Sequence, residues 1–399
     1  MKKLFALVLA AAMVLSLAAC GETPAPTTAA PATTAAPATT AAPATTAAPA
    51  ETTAAPEKSL KICIITSSGI DDGNFNQNCY DGIQSFLKNH PDCTVTDIKE
   101  SDTSKLIETV DGVVADYDVF VLPGFNFAAV GDIVTANPSK YFIVVDSTIT
   151  DSANNPVTAD NAYTMTFSEQ QSAFPCGVAA ALSSKTGKVA VVNGIAFPSN
   201  VNYQYGFMAG VKYANAKYGT SVECVELASY AGTDVMGNNV GGNYIGDFAD
   251  EATGKVVAQN LIAEGVDVIL AAAGASGNGV FAAAKEAKDV FCIGCDVDQF
   301  DDGKNGDANI ILTSTLKIMD KHVEKQLNAI YDGSFVGMDA MLDVSNEGVG
   351  YVSAEGRQQM SAETLTKVAE AFQAVIDGKV TVPADATQNE YTPENFPMD

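Results

Sequence analysis

The stretch ICIITSSGIDDGNFNQNCYDGIQSF, residues 62–86, contains the passage from a strand to a helix that decides the fold. It opens with an apolar, β-branched run that is typical of a buried strand, and it ends with apolar residues at helical spacing. Between the two lie paired serines and aspartates, two glycines, and then Phe75 and Asn76. A turn needs only glycines and a helix cap, so the aromatic ring and the surplus hydrogen-bonding groups indicate a ligand site at this strand end.

Residues 1–19 are predicted to be a signal peptide, because two lysines precede a short apolar run and a group of small residues. The run is shorter than the roughly 20 residues that a membrane-spanning helix needs. The sequence LAAC, residues 17–20, resembles the lipobox of bacterial lipoproteins. This resemblance implies cleavage before Cys20 and lipid attachment to Cys20, with an ordinary signal peptide as the alternative.

Residues 20–57 are predicted to be a disordered tether, because this run of Pro, Thr and Ala contains no large apolar residue. Its regularly spaced prolines favour extended polyproline II conformers, which makes the segment a semi-rigid spacer. The folded part is therefore expected to begin near Lys58, at the end of a lipid-anchored tether on the extracytoplasmic face of the cell membrane.

Composition argues against several function classes. Asp and Glu number 48 against 22 Lys and Arg, and the formal net charge of −26 argues against nucleic-acid binding. The cysteines after Cys20 are odd in number and scattered through apolar runs, so most are expected to be buried small hydrophobic residues. Cys292 and Cys295 have C-x-x-C spacing inside a strand-like run, where a redox or zinc site is the minor alternative.

Apolar strand-like runs alternate with helix-period segments, which predicts an α/β fold of two Rossmann-like lobes, each with a mostly parallel sheet flanked by helices. The strand candidates are residues 60–66, 94–98, 119–122, 141–146, 188–193, 222–227, 266–271, 290–295 and 310–313. The helix candidates include residues 75–88, 168–183, 201–218, 252–263 and 279–288. We predict that lobe 1 comprises residues 58–160 plus about 296–325, and lobe 2 residues 161–295 plus about 326–399.

The loops that follow these strands collect glycine, small polar groups, carboxylates and phenylalanine, and Asp146 is one such strand-end residue. Open α/β sheets bind ligands at the carboxyl ends of their strands, so the ligand site is expected there. Residues 296–303 have some features of a calcium loop, but Phe300 occupies a ligand position. His90 is expected to cap a helix end or to face solvent, and His322 is expected on a solvated helix face, so neither is expected to be catalytic. The sequence therefore predicts no enzyme, no metal and no cofactor.

The ligand itself is expected to be neutral. Arg357 is the only arginine of the chain, and arginine is the usual bidentate partner of carboxylate and phosphate groups. A hydroxyl-rich molecule with a flat face suits the acidic, phenylalanine-containing loops better than an anion does. Helix N-termini remain an alternative site for an anion.

Six ordered motifs resemble those of the basic membrane protein family, which are lipoprotein receptors of ABC importers for purine nucleosides. GIDDGNFNQ, residues 69–77, resembles the family signature GIDDKSFNQ. The later motifs match in the family's order at residues 203–211, 247–255, 273–279, 293–299 and 313–317. The resemblance spans the chain from about Lys58 onwards, and it implies a type I periplasmic-binding fold whose two lobes close on a nucleoside.

By this resemblance, the site would combine stacking rings with polar partners of the sugar. Phe75 would stack on the base, Asn76 would hydrogen-bond to it, and Asp296 and Lys317 would hold the ribose hydroxyls. The remaining expected ligand-binding residues are Thr66, Asp146, Tyr244, Phe248 and Gly274, with Phe248 favoured over Tyr244 as the second stacking ring. The implied partners are a nucleoside and an ABC permease in the membrane, and the receptor is expected to be a monomer.

The sequence leaves alternatives open. Thr66 stands where the family usually has an aspartate that reads the base, so the ligand is alternatively a pyrimidine nucleoside or a sugar. A surface sensor or adhesin, or a hydrolase of nucleosides, are further alternatives. At residue level, Phe75 is alternatively a core residue of its helix. Asn74 is expected to be the N-cap of that helix, and Asp71 and Asp72 are expected to favour its N-terminus rather than to touch the ligand.

Overall fold

The apolar run at residues 62–66 forms most of a buried strand. In the computed structural model, which describes residues 59–384, this strand spans Lys61–Thr66, and every side chain after Lys61 is buried. Ile62 faces one layer of helices and Cys63 faces the other. A parallel strand that is covered on both faces requires this continuous apolar character, because neither face meets water.

Two six-stranded sheets organise the described residues. In chain order their strands are β1 (Lys61–Thr66), β2 (Thr94–Lys99), β3 (Val119–Pro123), β4 (Tyr141–Val145), β5 (Ala162–Phe167), β6 (Lys188–Asn193), β7 (Glu223–Cys224), β8 (Val268–Ala272), β9 (Phe291–Gly294), β10 (Ile311–Lys317), β11 (Met338–Leu342) and β12 (Val349–Tyr351). Small ribbons outside the sheets pair Ile149–Thr150 with Pro156–Val157, Gly232–Thr233 with Asn239–Gly241, and Lys304–Asn305 with Ala308–Asn309.

Helices connect most of the strands. In chain order the α-helices are α1 (Phe75–Asn89), α2 (Leu106–Val113), α3 (Gly131–Ala136), α4 (Glu169–Ser183), α5 (Pro198–Tyr218), α6 (Glu251–Ala263), α7 (Ser276–Glu286), α8 (Met319–Asp332) and α9 (Ala362–Ile376). Short 3-10 helices span Thr103–Lys105, Phe125–Val130, Ala228–Tyr230, Phe300–Gly303 and Val344–Asn346. The five predicted helices are all present, and α5 begins three residues early because Pro198 is suited to the first turn of a helix.

The first sheet has the strand order β11-β5-β4-β3-β1-β2, and all of its strands are parallel. One face packs on α1 and α8, through residues such as Ile83 and Val323. The other face packs on α2 and α3, through residues such as Val110 and Val134. This sheet and its two helical layers form lobe 1.

The second sheet has the strand order β12-β10-β9-β8-β6-β7 and is parallel except where β12 pairs antiparallel with β10. One face packs on α4, α5 and α9, and the other packs on α6 and α7. The faces alternate along each strand: Val191 belongs to the first core and Val192 to the second. This three-layer unit is lobe 2.

Within residues 59–384, the chain passes between the lobes at Ser168, at Ile318 and in residues 343–348. These crossings correct the predicted lobe boundaries. The strand Ala162–Phe167 lies in lobe 1, residues 296–317 lie in lobe 2, and lobe 1 regains Met319–Asp332 and Met338–Leu342. The prediction was wrong there because both sheets use the same apolar strand pattern, which does not identify the sheet that a strand joins. The predicted signal peptide and tether lie outside the described residues.

Three strands escaped the sequence analysis: β5, β11 and β12. The strand β11 is mostly exposed at a sheet edge, so its sequence MDAML lacks the continuous apolar pattern of a central strand. The candidate at residues 222–227 shrinks to the two residues of β7, also at an edge. An edge position thus explains the loss of β11 and the shortening of β7, but not the loss of β5, which lies inside its sheet.

Helices α4 and α5 lie unusually close together because glycines face the neighbouring backbone. A Cβ added to Gly210 would overlap the carbonyl oxygen of Phe174, and one added to Gly177 would overlap that of Phe207. This contact holds the middle of α5 against α4, and the first turns of α5 contribute several residues to the cleft described below. None of the helices in residues 59–384 has the length and apolar character that crossing a membrane requires.

The burial of His322 on α8 can be tested through the pH dependence of stability. Burial lowers the pKa of His322 below its ordinary 6.5, and nearby Lys325 adds to the effect. Its Nδ1 atom is buried without a hydrogen-bond partner among the described residues. The unfolded chain therefore binds a proton more readily than the folded one, so stability that is present above the ordinary pKa is lost as the pH falls through the lowered value.

We expect the drop in Tm between about pH 8 and about pH 5 to be smaller in His322→Gln than in the wild-type protein, because glutamine does not titrate. Thermal unfolding followed by circular dichroism at both pH values measures the two drops. Equal drops in the two proteins would contradict the assignment of a lowered pKa to His322.

Candidate functional site

The carboxyl ends of strands from both sheets border a cleft between the lobes, as the strand-end argument predicts. Including its opening to solvent, this cleft holds about 680 Å³ of space that no protein atom fills. Of the residues predicted as ligand-binding, those that line it are Phe75, Asn76, Asp146, Phe248, Gly274, Asp296 and Lys317. Thr66 and Tyr244 are not among the lining residues.

Asp72 organises the loop that carries Phe75 and Asn76 to the cleft. Its carboxylate accepts hydrogen bonds from the backbone N–H groups of Asn74, Asn76 and Gln77, at 3.0–3.1 Å. Burial raises the pKa of Asp72, although these N–H donors oppose the rise. The Asn76 amide donates to Ser68 Oγ at 2.7 Å. Asp72 thus lies at the helix N-terminus as expected, but it also lines the cleft, and its hydrogen bonds present the ring of Phe75 to the cleft.

Phenylalanine rings from both lobes surround the cleft. Phe125 of lobe 1 lies 5.0 Å from Phe197 of lobe 2, measured between ring centroids, and Phe197 lies 5.9 Å from Phe248. Phe75 lines the cleft from lobe 1, beside Gly124. A flat apolar ligand that enters here meets aromatic carbon from both sides.

The ring of Phe248 occupies a slot that two glycines leave open. A Cβ added to Gly194 would overlap the ring of Phe248, and one added to Gly274 would lie 3.2 Å from its Cβ. Gly274 also has a φ of +55°, which disfavours other residues. The prediction that Gly274 offers backbone to a ligand stays untested, but its contact with Phe248 gives it a structural role.

The ammonium group of Lys317 is the centre of a buried charged cluster. Its Nζ lies 2.7 Å from Asp146 Oδ2, 3.0 Å from Glu169 Oε1 and 3.9 Å from Asp296 Oδ1. Only 2 % of the lysine side chain is exposed. Rings of Phe75, Phe167 and Tyr203 lie 5.3–5.5 Å from the same ammonium. Three carboxylates and three aromatic rings therefore surround one cation.

Burial and mutual attraction shift the pKa of Lys317 and of its three carboxyl partners. Burial opposes charge on Lys317, yet Asp146, Glu169 and Asp296 outweigh it and raise the lysine pKa well above its ordinary value. Burial also raises the pKa of each of the three carboxyl groups, and Lys317 opposes the rise. The ammonium therefore stays charged at neutral pH, and an additional anion at this place would face an excess of carboxylates.

Two of the carboxylates are held in an unusual backbone conformation. Asp146 has φ of 63° and Asp296 has φ of 67°, a left-handed region that non-glycine residues seldom adopt. Asp296 accepts a hydrogen bond from the Tyr203 hydroxyl at 2.8 Å, and its carbonyl oxygen accepts from the N–H of Lys317. Such conformations cluster at binding sites, where the surrounding structure maintains them.

Thr66 and Tyr244 take structural roles instead of facing the cleft. The Thr66 hydroxyl accepts a hydrogen bond from the Gly69 N–H at 3.1 Å, within the loop after β1. The Tyr244 hydroxyl donates to Gln204 at 2.7 Å, and its ring packs in a separate cluster with Val240. Both side chains are polar and close to strand ends, which is why the sequence did not separate them from cleft residues.

Several residues of the site were not predicted. They are Ser67, Ser68, Asp72, Pro123, Gly124, Phe125, Asn126, Phe197, Ser199, Asn200, Tyr203, Ala272 and Cys295 of the lining, and Glu169 behind it. Phe125 carried a usable signal, because it follows β3 directly in the sequence PGFNF. Tyr203 lies within a helix and Glu169 at a helix start, and neither position is distinctive without knowledge of its partners.

The sequence offered two further sites as alternatives, a calcium loop at residues 296–303 and the C-x-x-C pair of Cys292 and Cys295. Asp298 and Asp301, from the segment with calcium-loop features, pair with Arg357 at 2.7 and 2.8 Å. Among residues 59–384, no group of His, Cys, Asp and Glu side chains is arranged to hold a metal ion. Cys292 and Cys295 are both buried free thiols.

Comparison with known proteins gives a family. A family model described as ABC transporter substrate-binding protein PnrA-like matches residues 59–235 and 236–386. The CD4+ T-cell-stimulating antigen of Listeria monocytogenes is 32 % identical over 347 residues, covering 82 % of this chain and 88 % of that protein. The ABC transporter nucleoside-binding protein BmpA of Lactococcus lactis is 30 % identical over 346 residues, covering 82 % and 89 %.

The fold comparison agrees with the predicted architecture. A crystal structure of an ABC transporter solute-binding protein from Aeropyrum pernix superposes with a TM-score of 0.68 at 23 % identity, covering 82 % of this chain and 94 % of that one. Identity at that level shows the shared fold. The prediction of a type I periplasmic-binding fold with two α/β lobes is confirmed.

Removing the cation of the cluster tests its energetic weight. We expect Lys317→Met to lower the free energy of unfolding by about 3–5 kcal/mol, because three buried carboxylates then lack their partner. The matched control is Lys304→Met, whose ammonium pairs with Asp301 at the surface and whose loss should change stability by less than about 1 kcal/mol. Urea unfolding followed by circular dichroism measures both, and equal losses would contradict the central role of Lys317.

Proposed function

Because this chain belongs to the PnrA-like family of ABC transporter substrate-binding proteins, we propose that it binds a nucleoside, preferentially a purine nucleoside, and delivers it to an ABC permease. The family is one of binding proteins and not of enzymes. A relative that is 30 % identical carries the name nucleoside-binding protein. The base and sugar preferences proposed here rest on the cleft of this chain.

The observation that carries the proposal is the arrangement of rings and charges in one cleft. Phenylalanines of both lobes border it, and a buried lysine and aspartate lie at the same place. A nucleoside presents a flat aromatic base at one end and vicinal hydroxyls at the other. Base stacking on an aromatic side chain contributes about 1–3 kcal/mol per base, and hydrogen bonds from hydroxyls to charged groups are stronger than those to neutral groups.

In the proposed complex, Phe75 and Phe248 stack on opposite faces of the base, and the Asn76 amide binds its edge. Asp296 and Lys317 bind the ribose hydroxyls. Asp146 joins this polar end, since its carboxylate already bonds to the ammonium of Lys317 at 2.7 and 2.9 Å. Closure of the lobes buries the ligand and creates the form that the permease recognises.

The charge of the cleft supports a neutral nucleoside over its phosphorylated form. Three carboxylates surround the one buried lysine, and Arg357 is paired with Asp298 and Asp301 outside the cleft. A phosphate group would thus enter a region of negative charge without an arginine to bind it. This supports the sequence-based expectation of an uncharged ligand.

The protein is further proposed to be anchored by lipid on Cys20, with residues 20–57 as a tether of the binding domain. The support is the LAAC sequence and the run of Pro, Thr and Ala that follows it. The tether would keep the receptor near the permease at the extracytoplasmic face of the membrane, where multiple encounters with one partner are favoured by a high effective concentration.

Expression in a bacterium that processes lipoproteins tests the anchor. We expect wild-type protein to incorporate a labelled fatty acid and to sediment with membranes, and Cys20→Ser to lose both properties because the acceptor thiol is absent. Cys224→Ser, at a partly exposed cysteine of the folded domain, should behave as wild type. Labelling of the Cys20→Ser protein would exclude this lipidation site.

Titration calorimetry tests the proposed ligand class. The protein is unfolded and refolded to remove bound ligand, and is then titrated with adenosine, guanosine, inosine, cytidine and ribose. We expect purine nucleosides to bind most tightly, and Phe75→Ala to weaken them by roughly 10- to 100-fold through loss of one stacking surface. Asp296→Ala should weaken nucleosides through loss of the hydroxyl contact, by roughly 10-fold or more.

Phe372→Ala is the matched control. Phe372 lies on α9 and is half-buried like Phe75, but its ring packs against Tyr351. It should bind as wild type does. Tightest binding of cytidine or of ribose would keep the receptor and replace the purine preference. No binding to any of the five compounds would remove the nucleoside from the proposal.

A further inference from the structure

Glu169 is a buried carboxylate that the proposed ligand contacts do not use. It is the first residue of α4, directly after the crossing between the lobes at Ser168, and only 1 % of the residue is exposed. It is not among the residues that line the cleft. Burying a carboxylate costs free energy unless it is paired and hydrogen-bonded, so its partners indicate what it does.

Each oxygen of Glu169 has its own partner. Oε1 lies 3.0 Å from the ammonium of Lys317, and Oε2 accepts a hydrogen bond from the Asn202 amide at 2.7 Å. The carboxylate also lies at the N-terminus of α4, where the helix dipole favours negative charge. Glu169 is thus fixed by α4 on one side and by α5 on the other, and it offers its remaining oxygen to the lysine.

The other close partner of the lysine comes from the opposite lobe. Asp146 follows β4 of lobe 1, whereas Lys317 ends β10 of lobe 2 and Glu169 begins α4 of lobe 2. A relative movement of the lobes changes the distance between Lys317 and Asp146. The same movement does not change the distance between Lys317 and Glu169, because both belong to lobe 2. Asp296, the remaining carboxylate of lobe 2, lies farther from the lysine ammonium, at 3.9 Å.

We propose that Glu169 is a positioning residue that holds the ammonium of Lys317 where the ribose hydroxyls bind, independently of the contact with lobe 1. This inference rests on the proposed nucleoside-binding function. Lysine has a long side chain whose ordering costs conformational entropy. A lysine that is already fixed in the unliganded lobe spares this cost when the ligand binds. Glu169 therefore acts on affinity through the sugar and not through the base.

The test compares ribonucleosides with analogues that lack the sugar hydroxyls. Wild-type protein, Glu169→Gln and the control Glu251→Gln are titrated with adenosine, guanosine and inosine, and with the 2′,3′-dideoxy form of each. Glu251 is the matched control because it is also the first residue of a helix, α6, but is exposed. Thermal unfolding of each protein checks that it is folded.

We expect wild-type protein and Glu251→Gln to prefer the ribonucleoside by roughly 10- to 100-fold, and Glu169→Gln to lose about 10-fold of that preference while its affinity for the dideoxy form stays the same. Asn202→Ala, which removes the second partner of Glu169, should reduce the preference in the same direction and by less. This variant provides the answer if Glu169→Gln does not fold.

An equal loss of affinity for both sugar forms would assign Glu169 a merely structural role and overturn the proposal. An unchanged ratio in a folded Glu169→Gln protein would do the same. Absence of nucleoside binding by the wild-type protein would overturn the proposed function itself, together with this inference, and is distinguished from both results by the wild-type titration.

Discussion

The buried ammonium of Lys317 joins the two lobes, because it pairs with Asp146 of lobe 1 and with Glu169 of lobe 2. It lies against carboxylates from three separate strand or helix ends, Asp146, Glu169 and Asp296. Charges are removed from water at considerable cost, and the cost is repaid only where partners and hydrogen bonds are well placed. The crossings at Ser168 and Ile318 immediately adjoin Glu169 and Lys317, so the charged cluster and the connection between the lobes occupy the same small region.

Because the charged cluster lies at the crossings between the lobes, the cleft has a charged end and an aromatic end. The phenylalanines lie where loops of both lobes approach one another, and the charged groups lie where the chain crosses from lobe to lobe. Aromatic carbon needs only contact area, and it tolerates movement between the rings. Charged groups require fixed distances, and they are therefore best placed near the crossings, where relative displacement of the lobes is smallest.

The fold was largely predictable because parallel central strands require apolar residues on both faces, as Ile62 and Cys63 of β1 illustrate. The edge strand Met338–Leu342 was missed, since Leu342 is its only buried residue and its sequence therefore lacks an apolar run. The lobe boundaries depended on which sheet each strand joins, and that is a long-range property. A local pattern contains no information about it.

The residues of the candidate site also divide into those that a local sequence pattern predicted and those that it did not. Asp146 follows a strand directly, Asp296 lies just after another, and Phe75 begins the helix that follows β1, so the rule on strand ends found them. The sequence did not predict Glu169, because a glutamate at a helix start is ordinarily a solvated residue whose charge interacts favourably with the helix dipole. Only its distance of 3.0 Å from Lys317 reveals another role. Thr66 met the strand-end rule and nevertheless faces its own loop.

The slot for Phe248 has a consequence for how members of this family diverge. A side chain at position 194 and a ring at position 248 compete for the same space, since even a methyl group on Gly194 overlaps that ring. The two positions must therefore change together: a lineage that keeps the ring keeps the glycine, and one that gives up the ring is free to replace it. Position 194 thus serves as a marker, readable in any related sequence, of whether lobe 2 retains its aromatic wall.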